Sequence, residues 1–95
     1  MKLISNRALR EFAAIYPEAN TPLQNWRRII EKNEFLTWGD LKQTFKSADK
    51  VGELTVFNIG GNKYRIAAYV RFAKQLLYVK AVMTHAEYDK GEWKS

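Results

Sequence analysis

The apolar pattern of this chain changes period once. Up to residue 45 hydrophobic side chains recur at helical spacing, and from residue 54 they alternate. Leu9, Phe12, Ala13 and Tyr16 make one helical stripe, with Ser5 placed as N-cap and Pro17 as the stop. A second helix starts at "TPLQ", with Thr21 as cap, Pro22 at the first helical position and Gln24 as capping-box partner. Leu23, Trp26, Ile29 and Ile30 form its stripe, and Arg27, Arg28 and Lys32 lie off it on a solvated face. The spacing predicts a short third helix over Trp38 to Phe45, capped by Thr37, with Asp40 favouring its positive end. Met1–Ile4 reads as an opening strand.

The alternating part predicts three antiparallel strands. They are Leu54–Ile59, Lys63–Phe72 and Leu76–Thr84, with "GGN" at 60–62 as a tight hairpin turn and a second turn near 73–75. The helical stripes need an apolar partner, so the fold class is α+β, with N-terminal helices packed on one face of an antiparallel β-sheet. Tyr64, Ile66, Ala68, Val70 and Phe72 point to that face from the middle strand. On the third strand Leu77, Val79, Ala81 and Met83 are expected to do the same. The other face then carries Lys63, Arg65, Arg71 and Lys80, interleaved with Tyr69 and Tyr78.

Charge gives that face a meaning. The chain has a net charge of +6, and no acidic residue lies between Glu53 and Glu87. A stretch of one sign suits a polyanion, and cations among aromatics on a sheet can grip phosphates and stack bases. The alternative is an ordinary solvated face. The 95 residues fit one domain, 1–95, and a hydrophobic share of 46% excludes a disordered chain. With no cysteine there is neither a disulfide nor a thiolate metal site, which fits a reducing cytoplasm. The N-terminus lacks the apolar core of a signal peptide, and no apolar run is long enough for a membrane span.

The sole histidine, His85, follows the last strand, and Glu87, Tyr88, Asp89 and Lys90 come directly after it. Metal-free cleavage of RNA needs one group to take the 2′ proton and another to protonate the leaving 5′-oxygen. It also needs cations on the phosphate. An ordinary histidine suits proton transfer near neutral pH. Tyr88 or Lys90 can act as donor, and Lys63 and Arg65, two apart on one strand, can clamp the phosphate. His85, Glu87 and Asp89 alternate as metal ligands do, but the strand pattern has already ended there and no further ligand is near. No metal site is expected. "NIGGNK" lacks the spacing of a nucleotide-binding loop, so no cofactor is expected either.

"VFNIGGNKYRI" (56–66) and "MTHAEYDKGEW" (83–93) closely resemble the HigB-type toxins of type II toxin–antitoxin systems, within the RelE-like superfamily. "LREF", "PLQNW" and "SADKVG" are similar to the same family, so the resemblance spans nearly the whole chain. It implies a ribosome-dependent mRNA endoribonuclease, an mRNA interferase, that inhibits translation. It also implies a helix-turn-helix antitoxin of the HigA type as partner, besides the ribosome and mRNA, with no membrane involved. By position, Lys63 and Arg65 match the family's message-binding strand, and His85, Tyr88 and Lys90 match its C-terminal catalytic cluster. RelE itself uses arginine, lysine and tyrosine and has no histidine there, so base and acid stay unassigned. The superfamily also holds toxins that poison gyrase, and a non-catalytic basic RNA-binding or gyrase-poisoning toxin is the alternative.

Overall fold

The computed structural model describes residues 1–94. Strand β1 (Lys2–Ile4) leads into α1 (Asn6–Ile15), then α2 (Asn20–Lys32) and α3 (Trp38–Thr44). Strands β2 (Asp49–Val51), β3 (Leu54–Ile59), β4 (Tyr64–Arg71) and β5 (Leu76–Thr84) follow, and then helix α4 (His85–Lys90). The strands form one five-stranded sheet in the order β1-β5-β4-β3-β2. Three of the four pairings are antiparallel, and β1 runs parallel to β5. The α+β reading holds, with two additions. Strand β2 carries only "DKV", too short and too polar to show a period, and α4, followed by a 3-10 turn at Glu92–Lys94, stands after β5 where no element was expected.

The helices cover one sheet face as the stripes required. Leu9, Leu23, Ile30 and Leu41 from the helices are fully buried with Phe57, Ile66 and Leu77 from the strands. Burial of such a side chain is worth about 1.5–3 kcal/mol, so this layer dominates the stability of a small chain. Two predicted caps differ. Ser5 sits in the left-handed region at φ 83° and makes no side-chain cap bond. Pro17 opens a 3-10 turn, Pro17–Ala19, that runs straight into α2, so the helix begins at Asn20 without Thr21 as cap. Pro22 still falls in the first turn, where its missing N–H costs nothing. Thr37 does cap α3, its hydroxyl accepting from the Asp40 amide at 3.1 Å.

Strand β4 alternates as expected, and β5 does not. Ala67 pairs with Ala81 and Ala68 with Val79, which leaves Lys80 as the extra residue of a β-bulge. One inserted residue reverses the facing of everything after it. Val82 therefore packs with the helices, while Ala81 and Met83 turn to the second face. There Met83 joins Leu54, Val56, Ala67 and Trp93 in a second, smaller core. The second face is thus neither open nor free of acids at this end. Glycine 91, at φ 75°, ends α4 and turns the chain back, and Trp93 closes over the sheet at 9% exposure.

Candidate active site

The start of β4 lies beside the end of β5, with Tyr64 paired to Thr84. One further backbone bond extends the ladder: the N–H of His85 donates to the carbonyl of Lys63 at 3.0 Å. The hairpin loop makes this possible. Gly60, Gly61 and Asn62 all have positive φ, so Lys63 lies in the loop rather than in the strand, with its side chain exposed. At Gly60, where φ is 61°, an added Cβ would meet the Tyr64 ring at 3.3 Å, so any other residue there strains the loop.

Helix α4 is set by a reciprocal cap. The Thr84 hydroxyl accepts from the Glu87 amide at 3.2 Å, and a Glu87 carboxylate oxygen accepts from the Thr84 amide at 2.9 Å. Helical spacing then decides which side chains share a side. His85 and Asp89 lie one turn apart, with Nδ1 to Oδ1 at 3.6 Å, and both are more than half exposed. Tyr88, three residues after His85, is on the same side. Lys90, five residues on, is turned roughly 140° away. It lines a hollow with Ala81, Met83, Glu87 and Trp93 instead. The cluster of three candidate catalytic groups is therefore split into His85 with Tyr88, and Lys90 apart.

Arg65 is not a solvent-facing clamp. It is 8% exposed. Its Nη1 donates to the carbonyls of Asn62 at 2.9 Å and Tyr64 at 3.1 Å. Its guanidinium carbon lies 5.2 Å from the centre of the Tyr88 ring. The Tyr88 ring also stacks on Trp93, at 5.1 Å and 17° between planes, and the Trp93 indole N–H donates to the Tyr88 carbonyl at 2.9 Å. Arg71 lies at the far end of β4, roughly 23 Å from Tyr64 at about 3.3 Å per residue. It borders an open hollow with Lys74 and Tyr78, and a second one with Glu53. Lys80 is exposed at the bulge, beside Tyr69 and Lys94. The four basic candidates thus occupy three separate places.

On the helical side of the same strand end, the Tyr64 hydroxyl donates to Glu18 at 3.2 Å. Burial, and then the Glu18 carboxylate, push the Tyr64 phenol above its ordinary value of 10.0. Among the described residues no group of three or more histidine, cysteine or carboxylate side chains comes together as a metal site. No helix among them is long and apolar enough to cross a membrane. Sequence reasoning overlooked Asp89 as the partner of His85, although the i,i+4 spacing was visible. It also overlooked Trp93, whose role depends on the turn at Gly91.

A mostly antiparallel sheet covered on one face by helices is consistent with the fold of a RelE-like toxic component. Residues 19–91 match the family of HigB toxins, described as the RelE-like toxic component of a toxin–antitoxin system. The chain belongs to that family. It is 41% identical over 92 residues to the mRNA interferase toxin HigB of Escherichia coli (strain K12), covering 94% of this chain and 88% of that one. The mRNA interferase HigB of Shigella flexneri matches with the same identity and coverage. The mRNA interferase HigB of Escherichia coli O6:H1 (strain CFT073) is 32% identical over 93 residues, covering 95% of this chain and 90% of that one.

Proposed function

We propose that this chain is the mRNA-cleaving toxin of a toxin–antitoxin pair, acting in the cytoplasm on messages held by the ribosome. Its relatives bear the name mRNA interferase. The observation that carries a site is the backbone bond from His85 to Lys63, which places two exposed residues, a histidine and a lysine, side by side in the chain fold. The partner is an antitoxin of the HigA type with a helix-turn-helix domain. Charge complementarity points to an acidic or amphipathic segment of it lying across the basic hairpin edge.

The reaction follows from the residues in reach. The 2′-oxygen attacks the adjacent phosphorus and its proton is taken up, while the bond from phosphorus to the 5′-oxygen breaks. That oxygen receives a proton, which leaves a 2′,3′-cyclic phosphate and a 5′-hydroxyl end. His85 and the Tyr88 hydroxyl, one helical turn apart, are assigned to the two proton transfers. Asp89 lies on the Nδ1 side of the imidazole, 3.6 Å away and one helical turn on, where it can pair with the ring once the ring is protonated. Lys63 is assigned to the phosphate, where charge grows during the reaction. Lys90, Arg71 and Lys80 are assigned to phosphates along the bound strand rather than to the scissile one. Translated mRNA incubated with the purified protein and ribosomes should show new 5′-hydroxyl ends. Folded, antitoxin-binding protein that leaves the message intact would mean a basic toxin that blocks its target without cutting it.

A further inference from the structure

We infer that Arg65 is a positioning residue that fixes the Tyr88 ring against the hairpin, and not a contact to the phosphate. The inference rests on the proposed cleavage reaction. A guanidinium that serves as a phosphate clamp presents its donors outward as a planar fork. Here the group is turned inward. Nη1 is shared between two carbonyls of its own hairpin, those of Asn62 and Tyr64, and the residue is 8% exposed. Its guanidinium carbon lies over the Tyr88 ring, 5.2 Å from the ring centre.

The consequence for the site is geometric. Helix α4 has only six residues and no buried side chain of its own. Such a helix has no rigidity of its own. Three ties hold it: the capping box at Thr84, the His85 bond to Lys63, and the contacts of Tyr88 with Arg65 and Trp93. The first two fix its start. The third fixes its rotation, and with it the direction of the Tyr88 hydroxyl relative to Lys63 and His85. Misplacement by about 1 Å can cost on the order of 10²-fold in rate. An inward arginine at this position therefore acts through Tyr88.

Two readouts separate this role from a phosphate contact. The first is the salt dependence of binding to a short single-stranded RNA that is not turned over. Each phosphate contact contributes about 0.7 to the slope of log K against log salt on a single strand. Lys63→Ala should lower the slope by about that amount, and Arg65→Ala should leave it at the wild-type value. The second is cleavage. Arg65→Ala should lower kcat about 10–100-fold with KM near wild type. Arg65→Lys keeps the charge but loses the planar fork, and should not restore the rate. In a Tyr88→Phe background, Arg65→Ala should cost little more, since the hydroxyl it directs is already gone.

If Arg65→Ala does not fold, Arg65→Met carries both measurements, because it keeps a long apolar stem in the buried position and removes the charge. A slope lowered as far as in Lys63→Ala, with raised KM and unchanged kcat, overturns the inference. Full additivity of Arg65→Ala with Tyr88→Phe overturns it as well. A wild-type chain that binds RNA and cuts none overturns the proposed function instead, and the salt slope still decides how Arg65 is used.

Discussion

The backbone N–H of His85 donates to the carbonyl of Lys63 at 3.0 Å, one step past the last pair of the β4–β5 ladder. That bond links a loop of three left-handed residues to the first turn of a helix that is reciprocally capped. Backbone geometry, rather than any side-chain contact, brings His85 and Lys63 next to each other.

The cap at Thr84 should therefore matter for activity beyond its share of stability. Thr84→Ala removes the bond to the Glu87 amide and should cost about 1 kcal/mol in denaturant unfolding. Cleavage should fall further than the small loss of folded protein explains, because His85 and Tyr88 both start from that turn. Unchanged specific activity in the folded fraction would argue that α4 holds its place without the cap.

Trp93 should behave as a core residue although it is two residues from the end of the chain. Trp93→Ala uncovers Leu54, Val56, Ala67 and Met83 and removes the stack on Tyr88. Such truncations cost about 3–5 kcal/mol when the site cannot collapse, a large part of a domain's total. The expected results are a clear drop in the urea midpoint and loss of cleavage. Trp93→Phe should recover most of the stability.

Tyr64 predicts a change in stability at alkaline pH. Its phenol is raised above 10.0 by burial and by Glu18, so the folded state holds its proton more tightly than the unfolded state. The stabilisation is complete below pH of about 10 and is lost as pH rises through the folded value. Unfolding curves taken across that range should show wild type falling more steeply than Tyr64→Phe. Parallel curves would mean that folding, through burial and Glu18 together, does not raise the phenol.

Arg71 should weaken RNA binding without touching chemistry. At roughly 23 Å from Tyr64, at about 3.3 Å per residue along β4, it is beyond the scissile phosphate. Arg71→Ala should lower the salt slope of binding by about 0.7 and leave kcat near wild type. A fall in kcat with normal binding would place the reacting phosphate elsewhere on the sheet.

How far the sequence reached depended on how local each signal was. The alternation of Tyr64, Ile66 and Ala68 was sufficient for β4, because no residue interrupts its period. The same pattern misplaced Ala81, Val82 and Met83, since a bulge at Lys80 depends on a partner strand and leaves no mark in a single strand's spelling. Thr37 was legible as a cap because its partner is three residues away. Thr84 and Glu87 have that spacing too, but the helix they start is only six residues long. His85, Tyr88 and Lys63 could be named as residue types with the right chemistry. The burial of Arg65 could not, because it follows from its bonds to the hairpin carbonyls and from Tyr88 of α4 lying against its guanidinium.

The central claim is that His85 performs proton transfer in cutting mRNA. It is tested most directly by mapping message ends after incubation with ribosomes and either the wild-type protein or His85→Ala, both checked for folding. The wild type should generate discrete 5′-hydroxyl ends, and His85→Ala should generate them about 10²–10⁴-fold more slowly while binding ribosomes as before. Equal cleavage rates for the two proteins would contradict the account.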